Sequence, residues 1–521
     1  MAELVTIAIG RAALMLISLL NVRLYTSYLS HDEVGRLALI SGTATILSLL
    51  IDRSASAFWY RMVRPWSRAG LGHGRLAGLL LGTATMAILL GAGVSLIART
   101  IGLGTPITWP WLALTCAVGV FFNSAYNALL GSINVLGERR WFVALGVTGS
   151  GLGLLLAIRF AHVDPRAEWW MLGTIVGQAT LFPVLLIKTR QSMSRLHDHH
   201  GTVASTLRQT VSLRAWMHFA MPALVAAILY AAQMLGYRYV LNAVAGASQV
   251  ALFTVGFGIG VAIMNAFEYF ATQFLMPHFL AGVETFDAAR MAAAWNRYAR
   301  AIIPATVLVG MFAATGGPFL VRVLAAPSFA AAGPLVAWGV AADALRLVTQ
   351  SMALVCQARL QMRHVLLPAV AGVLTSLGGI VWLARDHPMV GTGEALVLGA
   401  VVWLLLQVRS ARRLLPIRLP WRVLVAAAGV GLPLVVAGQF ATHAPITMSS
   451  SLFALAVGAA YVVLVGQADW SRLPDGHEPP RRASSAPDRG CHRRESPHRP
   501  AMTPRLKHHG IPDQVRPRSP S

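Results

Sequence analysis

The chain has 521 residues, of which 56% are hydrophobic and only 12% charged, with a mean hydropathy of +0.60. Soluble domains carry about 25% charged residues, so a soluble protein is excluded and a polytopic membrane protein is expected. The net charge of +23 would suit nucleic acid only if the basic residues were gathered on one soluble face; here they punctuate apolar spans, and no nucleic-acid partner is expected.

The N-terminus lacks the basic flank and small-residue cleavage site of a signal peptide, so Leu4 onward reads as a retained first span. A window of roughly 20 apolar residues places spans at 4–28, 37–59, 76–98, 109–133, 141–160, 168–187, 215–240, 249–273, 301–324, 328–356, 364–384, 391–408, 421–441 and 446–466. This is an all-α fold of about fourteen transmembrane helices. One set of alternate loops holds 21 Lys/Arg, from Arg61 to Arg422, and the other set holds only 5. By the positive-inside rule both termini are cytoplasmic.

Between the spans, residues 188–214 form a basic cytoplasmic linker, and residues 283–300 have the amphipathic spacing of a helix lying on the membrane surface. After Trp470 the chain is rich in Pro, Arg, His and Ser and is expected to be disordered. Even without this tail, which carries 11 Lys/Arg and 5 Asp/Glu, the chain keeps a charge of +17. Cys116 and Cys356 lie inside spans and read as small buried hydrophobes rather than a disulfide framework. Trp109, Trp111, Trp169 and Trp170 open spans and read as interfacial belts.

The segment Val34 to Asp52 overlays Val250 to Glu268 without a gap, placing Gly42 on Gly258 and Asp52 on Glu268. Each copy is preceded by an arginine, Arg23 or Arg238, that ends the helix before a short polar elbow. A duplication would make residues 1–187 and 215–410 two six-helix lobes. Because six is even, the repeats are parallel, related by an axis along the membrane normal. Residues 411–470 add two helices, and residues 471–521 form the tail.

At Arg23 to Ser41 (RLYTSYLSHDEVGRLALIS), at FAMPALVAAI with Pro222, and at Tyr237 to Gly256 (YRYVLNAVAGASQVALFTVG), the chain resembles a known family. It is the polysaccharide transporters, or lipid-linked oligosaccharide flippases, of the multidrug/oligosaccharidyl-lipid/polysaccharide exporter superfamily. The chain departs from the family pattern at Gly236-Tyr237, where many relatives carry an acid before the arginine. The resemblance implies a flippase that moves a polyprenyl-diphosphate-linked oligosaccharide, a surface polysaccharide repeat unit, across a bacterial inner membrane by alternating access. It also implies a proton or sodium ion as driver and polysaccharide polymerase or assembly proteins as partners. An exporter of drugs within the same superfamily and a membrane polysaccharide polymerase or ligase remain the alternatives.

Charged groups at membrane depth are costly to keep and mark functional sites. Asp343 and Arg346 share one helix face and are expected to pair, with Gln350 extending the stripe. Asn123 and Asn127 form a comparable stripe in the fourth span. The candidate substrate cavity therefore comprises Arg11, Arg23, Arg238, Arg346, Asn123, Asn127 and Gln350. Asp52, Glu268 and Asp343 are candidates for ion coupling or charge balance. Arginine's planar fork suits a diphosphate headgroup. The alternatives are that the amides and the Asp343/Arg346 pair hold helices together, that Arg23 and Arg238 reach the headgroup layer, and that Asp52 and Glu268 are solvated near the interface. No phosphate-binding loop, zinc signature or nucleophile elbow is present, so neither a cofactor, a metal nor an enzymatic activity is expected.

Overall fold

A computed structural model of the protein describes residues 2–52, 57–100, 109–196, 224–225, 228–283, 288–359, 361, 363–420, 422, 424–425 and 429. The described elements are α1 (Ala2–Tyr28), α2 (His31–Ile51), α3 (Ala57–Arg68), α4 (Gly72–Thr100), α5 (Trp109–Val135), α6 (Arg139–Val163) and α7 (Ala167–Arg195), followed by α8 (Tyr237–Ala245), α9 (Ala247–Val283), α10 (Ala288–Thr315) and α11 (Gly317–Leu324). A 3₁₀ turn (Pro327–Ala332) then leads to α12 (Leu335–Ala358), α13 (Arg363–Leu383) and α14 (Pro388–Leu414). No strand occurs among the described residues.

Ten of these helices are long and apolar enough to cross a membrane, and each coincides with one of the fourteen expected spans. Helix α1 covers the first. The spans expected at 421–441 and 446–466, most of the linker 188–214, the first part of the span at 215–240, and the tail lie outside the described residues. Leu16, Leu81, Leu89, Leu155, Leu374 and Trp382 are each more than half exposed. Apolar surface on that scale is unstable in water and belongs against lipid, which makes this a polytopic all-α membrane protein.

The starts of α2, α7 and α9 have local causes. Ser30 caps α2, its hydroxyl accepting from the Glu33 amide at 3.3 Å, and Asp32 and Glu33 fill the first turn. The Glu33 carboxylate pairs with Arg36 at 2.6 Å and accepts the Ala167 amide at 2.8 Å, so it also satisfies the first turn of α7. Gly246, at φ 84°, supplies the left-handed residue that ends α8 and lets α9 begin at once.

Two expectations, for the segment 283–300 and for Trp170, are corrected. The segment 283–300 does not lie on the membrane surface as a separate helix: from Ala288 it is the first part of the continuous helix α10. Its apolar face (Met291, Trp295, Tyr298) is buried against Leu275, Phe279 and Leu415, and Trp295 donates to the Ser351 carbonyl at 2.7 Å. Amphipathic spacing cannot distinguish a helix facing headgroups from one facing other helices. Helix α2 is described to Ile51 and helix α3, packed around Trp59, Val63 and Trp66, from Ala57, with residues 53–56 of the expected second span outside the described residues. Trp170 is no belt residue, since it is 2% exposed and packs edge-on to Tyr25, whereas the exposed Trp169 donates to Asp164. Cys116 and Cys356 are buried and free, as expected.

Small residues set the helix spacing. A Cβ at Gly173 or Gly177 on α7 would meet the backbone of α6 at Ala157 or Gly153. In the same way Gly256 and Gly260 on α9 lie against Ala332 and Val336, and Gly339 on α12 lies against Phe257. Close backbone approach through small residues is how helices associate where water supplies no driving force. Helix α9 also packs on α2: a Cβ at Gly35 would overlap the Ala247 carbonyl. The two segments related by the proposed repeat therefore contact each other directly.

Candidate functional site

Gly256, Gly260, Met264 and Glu268 recur every four residues along α9, and Gly339, Asp343, Arg346 and Gln350 follow one face of α12. Residues at such spacing line a single helix face. The glycines that bring α9 and α12 together therefore lead, along the same interface, to the charged residues. The pairings Gly260 with Val336 and Glu268 with Arg346 show that α9 and α12 run in the same direction.

Arg346 is the centre of this site. Its Nε donates to Asp343 Oδ1 at 2.6 Å, and its Nη2 donates to Asp343 Oδ2 at 3.0 Å, Glu268 Oε2 at 2.6 Å and Asn265 Oδ1 at 3.0 Å. Nη1 has no acceptor among the described residues. Asp343 is fully buried and Arg346 is 5% exposed, while the Glu268 side chain keeps 23% of its surface open. Arg346 lies 11 residues into α12, about 17 Å along the helix at 1.5 Å per residue. That is near the middle of a hydrocarbon layer about 30 Å thick. An unpaired guanidinium there would be prohibitive; two carboxylates and an amide keep it charged. Two acids on one base leave the cluster one negative charge in excess when both are ionised.

Behind Arg346, a void of about 10 Å³ is bounded by Gln233, Phe257, Thr349 and Trp403, close to the least space that holds a water molecule. Gln233 Nε2 donates to Ser376 Oγ at 2.9 Å.

Of the residues expected from sequence, Asp343, Arg346 and Glu268 are brought into one network, and Gln350 lies half-buried one turn beyond. Arg238 lies instead between α8 and α2. Its Nη1 donates to the Ala38 carbonyl at 2.8 Å, across Gly42, which leaves room for it. Beside it, the hydroxyls of Tyr239 and Thr43 are 2.7 Å apart. Arg23 donates to the carbonyls of Arg322 and Ala325 at the end of α11, where a cation complements the helix dipole. His31 stacks on Phe329 at 4.3 Å and reaches the Ser328 carbonyl. Asp52 follows the last residue of α2. Asn127 and Asn123 bond to each other at 3.3 Å on α5. The Arg11 side chain lies outside the described residues.

The sequence reading missed Asn265. It is three residues before Glu268, and the same helical-face rule that paired Asp343 with Arg346 would have found it. That one guanidinium is shared between α9 and α12 carried no sequence signal, because it depends on which helices are neighbours.

No protein-family model matches the chain, and no curated protein matches it in sequence. Solved structures do match in shape. The lipid II flippase MurJ, in an inward closed conformation, superposes with a TM-score of 0.59 at 11% identity, over 89% of this chain and 98% of that one. An outward-facing multidrug resistance transporter of the MATE family gives 0.53 at 14% identity, over 82% and 95%. A transporter from Pyrococcus furiosus, described as having a binding pocket of reversed polarity, gives 0.52 at 14% identity, over 78% and 93%. The latter two are described as transporters of the MOP superfamily, whose sequence features the chain resembles, and the chain has their fold.

Proposed function

We propose that the protein is a flippase moving a polyprenyl-diphosphate-linked oligosaccharide from the cytoplasmic to the outer leaflet of a bacterial inner membrane by alternating access, with both termini cytoplasmic. The two lobes, 1–187 and 215–410, would rock about the contact between α2 and α9. The lipid tail would stay in the bilayer.

The observation that carries this reading is Arg346. It is a mid-membrane guanidinium, held rigidly by Nε and Nη2, with Nη1 uncommitted among the described residues. A diphosphate crossing hydrocarbon needs a donor of this kind, and binding it makes a charge-assisted bond stronger than a neutral one. Glu268 and Asp343 prevent the anion from being retained too tightly. Their excess negative charge is also where a coupling proton or sodium ion would be held. Only a ligand that binds the two states differently can bias the cycle, and Glu268, shared across two helices and partly open, is the group placed to do so.

The test is reconstitution of the purified protein in proteoliposomes with a fluorescent undecaprenyl-diphosphate oligosaccharide. The wild type is expected to carry the probe between leaflets, and Arg346→Met is expected to abolish transfer while Arg346→Lys retains a small part of it. Transport of organic cations, with no movement of the lipid-linked probe, would overturn the proposal in favour of a drug exporter. In cells, Arg238→Ala or Asp343→Ala should abolish surface polysaccharide, compared per amount of protein because loss of the Asp343 carboxylate also lowers stability.

A further inference from the structure

A cavity of about 350 Å³ lies away from Arg346, among α1, α3, α5, α6 and α7. It exists because glycines line it. At Gly131 any side chain would displace the Tyr60 ring, and at Gly10 it would strike Val143. Gly146 leaves a third opening in the wall. In a chain with a net charge of +23, none of the described lining residues is charged.

The walls carry two kinds of group. Tyr60, Tyr126 and Phe142 supply aromatic surface. Both tyrosine hydroxyls are already committed, to the Asn127 carbonyl at 3.0 Å and the Leu145 carbonyl at 2.6 Å. Asn127, Ser150 and Gln178 supply neutral donors and acceptors. The Gln178 amide and the Ser150 hydroxyl make no hydrogen bond to other described residues, and Asn127 spends one amide hydrogen on Asn123.

This composition selects a ligand. The described lining offers neutral amides and aromatic rings, and an acyl chain would strand the amides at a cost of about 1–3 kcal/mol for each polar group. A pyranose presents what the walls lack: an equatorial ring of hydroxyls for amides, and axial C–H faces for aromatic rings. The volume lies at the lower end of the range for small-molecule sites, enough for one or two sugar rings.

We propose that this pocket is a saccharide subsite, receiving an uncharged glycosyl unit of the transported molecule. It rests on the flippase reading, whose phosphate site it complements. Asn127 and Gln178 hydrogen-bond the sugar hydroxyls, and the aromatic rings exclude water from its apolar face.

The experiment compares two probes on the protein in lipid nanodiscs: a farnesyl-diphosphate-linked disaccharide and farnesyl diphosphate alone. Wild type is expected to bind the glycosylated probe at least tenfold more tightly. Gln178→Leu, which keeps volume and loses the amide, should bring the two probes to about equal affinity while leaving the sugar-free probe unchanged. That unchanged binding also reports that the variant is folded. Ser150→Ala, a smaller change, should lower only the glycosylated probe's affinity. Equal binding of both probes by wild type, or equal loss of both in Gln178→Leu and Ser150→Ala, overturns the subsite and leaves the flippase reading standing. Binding of neither probe overturns both.

Discussion

Replacing Asp343 by leucine separates the energetic role of the buried network from its transport role. Asp343 accepts two bonds from Arg346, at 2.6 and 3.0 Å, with no solvent exposure of its own. Its removal leaves Arg346 with Glu268 and Asn265 only, on one nitrogen. Breaking a buried pair by deleting one partner costs about 3–5 kcal/mol, and because Glu268 remains, a loss near 3 kcal/mol is expected. Removing the guanidinium as well, in Asp343→Leu/Arg346→Met, eliminates the stranded cation and leaves only Glu268, 23% open, without its partner. Apolar replacement of an entire buried pair is often neutral or stabilising, so the double variant should recover most of the loss. Transport of the lipid-linked probe should be absent from both. The assay is denaturant unfolding in nanodiscs run beside the proteoliposome transfer measurement. A double variant no more stable than the single, or one that transports at the wild-type rate, would refute the reasoning.

Other substitutions probe the surrounding contacts. Glu268→Gln retains an acceptor for Arg346 at 2.6 Å but removes the second carboxylate, so transport should no longer respond to an imposed proton or sodium gradient; a persisting response places coupling elsewhere. Gly35→Val would drive a side chain into the Ala247 carbonyl and should lower stability by roughly 1–3 kcal/mol, as overpacking does, measured as a lower unfolding midpoint. Arg23→Ala leaves the carbonyls of Arg322 and Ala325 without their cation. A loss of about 1–2 kcal/mol is expected, and an unchanged midpoint would show that these bonds add nothing.

Much of the architecture was readable from hydropathy, because a span must be apolar for about 20 residues whatever it packs against. Where the reading failed, the competing effect was tertiary. Met291, Trp295 and Tyr298 have a periodicity equally suited to headgroups and to neighbouring helices, and only the fold brings Phe279 and Leu415 to them. At the site, the pairing of Asp343 with Arg346 follows from three-residue spacing on one helix. That Glu268 completes the same guanidinium required knowing that Gly256, Gly260 and Gly339 press α9 onto α12. Arg23 and Arg238 were recognisable as unusual charges, but their partners are backbone carbonyls of Ala325 and Ala38, which no side-chain pattern announces.

Helix α2 is held by polar contacts at its start and by apolar packing toward its end, where Leu47 and Ile51 are buried with Ala87, Cys116 and Val120. Within its first five residues His31 stacks on Phe329, Glu33 takes the Ala167 amide of α7, and Gly35 abuts Ala247 of α9. The helix is a rod of 21 residues, about 30 Å long at 1.5 Å per residue, so a small tilt at its start is magnified at its end. A tilt of about 10° carries the opposite tip roughly 5 Å. Such a displacement would have to slide Leu47 and Ile51 past Ala87, Cys116 and Val120, while the bond from Glu33 to the Ala167 amide joins the start of α7 to the start of α2.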